Sequence, residues 1–99
     1  MIFPDYLKPE VKDKFQLYLI PNGSNIDQSF YKSKNSLLKD FYFKCESPLE
    51  IEVVRYEFIN DKKYGLSQKL PIIEFENMNI VNITELFIHE IDNIKAANL

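Results

Sequence analysis

The stretch "NGSNIDQSFYKSKNSLLKDF", Asn22 to Phe41, joins the first apolar run of the chain to everything downstream, so its conformation decides how a sheet would be wired. Ser24 or Asn25 suits an N-cap, and Asp27 or Gln28 follows three residues later as the partner of a capping box. Ile26, Phe30, Leu37 and Phe41 stand at offsets 0, 4, 11 and 15, a single stripe at helical period that is interrupted at Ser33 and Lys34. The spacing predicts a helix. It must stop before "ESP", Glu46 to Pro48, because Pro48 pushes Ser47 towards extended backbone.

Upstream, "KFQLYLIP" places Phe15, Leu17 and Leu19 on one face and Tyr18 and Ile20 on the other. A strand apolar on both faces is expected inside a sheet, ended here by Pro21 and the turn residues Asn22 and Gly23. Downstream, "LEIEVVRYEFI" starts with Leu49, Ile51 and Val53 on one face and continues with Val54, Tyr56 and Phe58 on the other. A β-bulge at Val53 and Val54 restores a common face; the alternative is a strand whose burial changes sides along its length. Asn60 to Gln68 reads as a loop or one helical turn.

"LPIIEF" and "NIV" around "ENMN" read as a short antiparallel hairpin. Asn82, with Glu85 three residues on, is expected to cap a last helix whose Ile83, Phe87, Ile91 and Ile94 share one face, with Lys95 favourably near its carboxyl end. The expected order is therefore β-α-β-β-β-α. The first helix acts as a right-handed crossover that makes the first two strands parallel. The fold class is α/β (α+β), a four-stranded mixed sheet covered by at least two helices. Residues 15–99 form the domain. Residues 1–14, with Pro4 and Pro9, form an extended arm whose Ile2, Phe3, Tyr6 and Leu7 are too apolar to be left unpacked.

This topology, with Leu70 and Pro71 opening the third strand, resembles the thioredoxin fold. The resemblance implies that Pro71 follows a cis peptide bond beside a ligand-binding turn; X-Pro bonds alone take that form at modest cost. A thioredoxin or glutaredoxin carries its nucleophilic cysteine after the first strand, where this chain has "PNGSNIDQS". Cys45, its one cysteine, lies at the far end of the expected helix. The resemblance is thus to a redox-inactive branch. The segment from Leu70 is similar to the amino-terminal domain of glutathione transferases, but Ile83 and Thr84 stand where that family has an acid-serine or glutamine-serine pair. Length and arm are similar to the small mitochondrial complex I accessory subunits and mitochondrial ribosomal proteins.

The composition limits partners and chemistry. Ninety-nine residues with 45% hydrophobic content fit one domain with one core. A formal charge of -3 supplies no strong basic field, so no nucleic acid is expected as partner. A lone cysteine permits no intrachain disulfide and no cysteine-based zinc site, and a reducing compartment is the simplest setting. No apolar run approaches the roughly 20 residues of a transmembrane helix. The amino terminus has the character of neither a secretory nor a transit peptide. An intracellular location is expected, either the mitochondrial matrix side or the cytoplasm.

No catalytic, cofactor-binding or metal-ligating set stands out. His89 with Glu85 one turn earlier has the spacing of a metal pair, yet without a third ligand it reads as ion-paired surface. Glu50, Glu52 and Glu57 cluster only along the chain and read as a solvated strand face. Phe30 and Tyr31, with "FYFKC" and Lys39, suggest base stacking, against which the net charge favours core packing plus an aromatic protein interface. The expected contact residues are Phe3, Tyr6, Tyr31, Tyr42, Phe43 and Glu90. The expected function is a non-catalytic accessory subunit joining other protein subunits in a larger assembly such as a mitochondrial respiratory complex. The alternative is a stand-alone inhibitor of immunity or anti-defence type; a glutathione-binding enzyme domain ranks third.

Overall fold

The computed structural model describes residues 6–22, 25–45 and 47–97, with the side chains of all of these except 21, 22 and 25–29. The chain runs α1 (Pro9–Phe15), β1 (Leu17–Asn22), β2 (Asn25–Ser33), a 3-10 turn at Ser36–Leu38, β3 (Phe41–Cys45), β4 (Glu50–Ile59), β5 (Lys62–Pro71), α2 (Ile72–Glu76), α3 (Ile80–Thr84) and α4 (Ile88–Ala97). The five strands form one open sheet in the order β1-β2-β3-β4-β5, every neighbouring pair antiparallel. The molecule is an α+β domain.

The arm expected to be extended contains α1. Pro9 stands at its first turn, where a preset φ and a missing N–H cost nothing, so the residue that reads as a breaker is a starter. Val11 and Phe15 lie one turn apart and are buried together with Leu7. Gln16 then takes φ 54 and ends the helix in the left-handed conformation, its N–H reaching the Asp13 and Lys12 carbonyls. Phe3 lies outside the described residues.

The helix expected from Asn25 onward is absent, and β2, the 3-10 turn and β3 stand in its place. Asn22 pairs with Asn25 and Leu17 with Ser33, so β1 and β2 form an antiparallel hairpin and not a parallel crossover unit. Asn-Gly between two apolar runs is a hairpin signal. In strand geometry Tyr31 and Ser33 are buried on one face, and Phe30 and Lys32 lie half-buried on the other.

No bulge interrupts β4. Its pairing with β5 is continuous from Glu50↔Pro71 to Ile59↔Lys62, closed by Asn60 and Asp61 at φ 52 and 66. Two consecutive positive φ values are the mark of a two-residue type I′ hairpin turn. Ile51, Val53 and Ile59 are buried on one parity while Val54, Tyr56 and Phe58 carry the other. The apparent shift of apolar parity therefore marks a second apolar surface on the outer face.

Leu70 and Pro71 end β5 and do not begin a strand; the expected hairpin after them is α2 and α3. No described peptide bond is cis, so the Leu70–Pro71 bond is trans. Pro71 holds φ -57 at the N-cap of α2, and the Ile72 N–H bonds to the Leu49 carbonyl, 2.8 Å. The thioredoxin-like resemblance rested on the element order and on Leu70 and Pro71 opening the third strand; the sheet is instead all antiparallel with these residues at the end of β5, and the bond is not the cis one that the resemblance implied. The final helical segment is capped earlier than expected: Asn79 and Asn82 form the reciprocal capping box. A turn at Glu85–Phe87 separates α3 from α4, yet Ile83, Phe87 and Ile91 share the buried side as their period predicts.

All four helices contribute to one core on one side of the sheet. Its spine is a chain of fully buried phenylalanine rings: Phe15 to Phe75 at 5.1 Å, Phe75 to Phe43 at 5.6 Å, Phe43 to Phe41 at 6.4 Å and Phe41 to Phe87 at 6.2 Å. Each buried ring contributes about 1.5–3 kcal/mol over its exposed state. The spine joins α1, α2, β3 and the α3–α4 turn, so the helical layer is fixed to one face. Among the described residues no helix covers the other.

Candidate binding surface on the open sheet face

The uncovered face is built by strand alternation. Residues opposite each other in an antiparallel pair point to the same side, and diagonal neighbours remain within reach of aromatic side chains. Tyr42 pairs with Val54, one step from Tyr56 on β4, and Tyr31↔Phe43 puts Phe30 diagonally beside Tyr42. Phe30, Tyr42 and Tyr56 thus form a diagonal line, one ring on each of three adjacent strands. Phe30 and Tyr42 stand 6.4 Å apart at 90°, and Tyr42 and Tyr56 5.7 Å apart at 83°. Edge-to-face geometry suits rings carrying a quadrupole. Phe58, 71% exposed, continues the apolar surface.

Ammonium groups stand over these rings. Lys32 Nζ is 4.2 Å from the Tyr42 centroid, Lys63 Nζ 4.7 Å from that of Tyr56 and Lys44 Nζ 5.7 Å from that of Phe30. Lys32 Nζ also donates to the carbonyls of Lys39 and Phe41. Burial lowers the Lys32 pKa, and Asp40 offsets this only in part. Two adjoining depressions, of about 400 and 340 Å3, share Tyr42, Tyr56 and Lys63 in their walls. On the same face Glu52 lies opposite Lys44 and Lys69 and accepts a hydrogen bond from Ser67 Oγ at 2.6 Å.

The residues singled out from sequence do not assemble into one site. Tyr42 lies in this surface, but Tyr31 and Phe43 point into the core, 4% and 0% exposed, because alternation sends neighbours to opposite faces. Tyr6 packs against the core. Glu90 accepts a hydrogen bond from Gln68 Nε2 at 3.0 Å, and that amide also donates to the Leu86 carbonyl at 2.7 Å. Glu90 therefore helps tie α4 to β5. Pro71 is exposed at a helix start, away from the aromatic line. Glu57 pairs with Arg55 at 2.9 Å on the core side of β4, separate from Glu50 and Glu52. Tyr56, Lys32 and Lys63 were missed; the parity shift through Val54, Tyr56 and Phe58 was the signal for Tyr56, while Lys32 on β2 and Lys63 on β5 reach the rings only through strand pairing.

His89 and Glu85 are exposed, and among the described residues no cluster of three or more His, Cys, Asp or Glu is placed to hold a metal. Cys45 is half-buried against the core. No helix among the described residues is long and apolar enough to cross a membrane. No family model, curated protein or solved structure matches the chain.

Proposed function

We propose that the protein works as a binding module, without chemistry of its own, and that its contact surface is the open face of the sheet. The observation that carries this reading is the diagonal aromatic line of Phe30, Tyr42 and Tyr56 on a face that no described helix covers. A domain of this size gains by covering such rings with helix or loop. Side chains that are large, rigid and partly polar are also those that concentrate contact energy at interfaces. The expected role as an accessory subunit or an inhibitor keeps its non-catalytic character. Of the expected contact residues Phe3, Tyr6, Tyr31, Tyr42, Phe43 and Glu90, this reading keeps Tyr42 and adds Phe30 and Tyr56 on the open face. The glutathione-binding reading loses its premise, since it needed the thioredoxin-like edge at Pro71.

The test compares copurification by tagged wild type, the double variant Tyr42→Ser/Tyr56→Ser and the helical-layer control Val81→Ser, each expressed in the native source. Protein and nucleic acid are both quantified. The double variant should lose the partner that wild type and Val81→Ser retain. A partner held equally by all three would place the contact surface elsewhere.

A further inference from the structure

The composition of the open face also bears on what occupies it. Cores of protein interfaces are depleted in charged residues, lysine among them, and keep their ions at the rim. Here three ammonium groups stand within 4.2–5.7 Å of ring centroids, Lys32 over the central ring of the aromatic line and Lys44 and Lys63 over the rings at its two ends. Rings interleaved with cations suit a ligand that carries planar apolar groups and a negative charge in every repeat. We propose, building on the reading of this face as the contact surface, that its occupant is a single-stranded nucleic acid. Bases stack on Phe30, Tyr42 and Tyr56, and phosphates meet Lys32, Lys44 and Lys63.

Several features support that assignment. The three rings lie on successive strands, so a chain crossing the sheet diagonally meets them in turn. Stacking on aromatic side chains is tolerant of sequence because every base has a π face. A duplex hides those faces, which selects single strands. The environment of Lys32 disfavours its positive charge despite Asp40, and a phosphate would supply the missing compensation. Phosphates on this face would also meet carboxylates: Asp40 and Glu57 in the wall of the depression shared by Tyr42, Tyr56 and Lys63, and Glu52, whose cross-strand neighbours Lys44 and Lys69 flank it on both sides.

The net charge of -3 does not oppose this. The net negative charge lies in the segment of α2, α3 and α4, where residues 72–97 carry Glu74, Glu76, Glu85, Glu90 and Asp92 against Lys95 alone. That segment lies across the core from the open face. A strand on the open face therefore meets first the lysines that stand beside its rings.

Fluorescence anisotropy with labelled oligothymidylate and oligouridylate tests the proposal, with a duplex of matching length and an alternating Asp-Phe peptide as competing probes. Wild type should bind a single strand saturably and the duplex more weakly. Its affinity should fall with salt at a log-log slope of about -2, as expected for three phosphates on a single strand. Tyr42→Ala and Tyr56→Ala should each weaken binding roughly 5- to 150-fold, the range of one stacked base. Tyr42→Phe should retain it. The triple variant Lys32→Gln/Lys44→Gln/Lys63→Gln keeps the rings and should flatten the salt slope, with circular dichroism verifying that each variant is folded.

Tighter binding of the acidic peptide than of either oligonucleotide, lost in Tyr42→Ala, would overturn the nucleic-acid assignment and keep the open face as a protein-docking surface. Oligonucleotide binding that ignores both tyrosines would overturn it as well. Failure of every probe, together with a native partner retained by Tyr42→Ser/Tyr56→Ser, would overturn the assignment and the contact surface together.

Discussion

The Lys32 ammonium lies 4.2 Å from the centre of the Tyr42 ring while donating to the carbonyls of Lys39 and Phe41. Burial is the larger influence on it and lowers its pKa below 10.5, with Asp40 raising it in part. Between the lowered value and 10.5 the unfolded chain therefore binds more protons at this site than the folded one. Stability contributed by Lys32 rises with pH through that window and is constant below it. Urea unfolding of wild type and Lys32→Met from neutral pH to above 10.5 should show wild type gaining on the variant as the window is crossed. A stability difference independent of pH would refute the lowered pKa.

Where local pattern and tertiary structure agree, residues reveal the fold directly. Glu50–Ile59 has strand alternation, and Ile83, Phe87 and Ile91 keep a helical period even though a turn divides their segment. Between Asn25 and Phe41 the pattern misleads. Its stripe fits a helix, and the competing hairpin signal, Asn-Gly after the first apolar run, prevails once β2 pairs with Leu17–Asn22. Tyr42 was legible as a contact residue, but its sequence neighbours Phe43 and Lys44 divide between core and outer face. Tyr56 and Lys63 approach Tyr42 only through the registers of three strands.

Phe75 joins the helical layer to the sheet. It is fully buried between Phe15, at 5.1 Å, and Phe43, at 5.6 Å, in a single chain of rings. Phe75→Ala should cost about 3–5 kcal/mol, the transfer term plus the cavity left behind. Ile73, two residues away on the same helix, is 73% exposed, and Ile73→Ser should change stability by no more than about 0.5 kcal/mol. Chemical denaturation of the two variants decides whether α2 is oriented as described; similar losses would contradict it.

Ser33 is a buried polar residue at the end of β2. Its hydroxyl donates to the Phe15 carbonyl and accepts from the Asn35 N–H at 3.0 Å, joining the end of α1 to the start of the 3-10 turn. Ser33→Ala leaves both backbone groups short of a partner and should cost about 1–3 kcal/mol. Hydrogen exchange should show the Asn35 amide losing protection more than those in β4. Uniform loss would mean that the hydroxyl stabilises the whole domain without locally tying these two segments.

Gly65 faces Tyr56 across the β4–β5 pair, and a Cβ built at Gly65 would lie 3.4 Å from Tyr56 Cε1. That contact is at the edge of ordinary packing, so the ring needs to give only slightly to admit a methyl group. Glycine inside a strand costs about 0.5–1 kcal/mol relative to alanine through its extra freedom in the unfolded chain. Gly65→Ala should therefore raise stability by up to about that amount in urea unfolding. Gly65→Val adds branches beneath the ring and should displace Tyr56 from Tyr42 while the strand, which favours valine, stays folded. On the proposed reading, that variant separates stability from binding: its unfolding midpoint holds or rises while its affinity for oligothymidylate falls. Affinity and stability falling together would instead mean that Gly65 serves the fold alone.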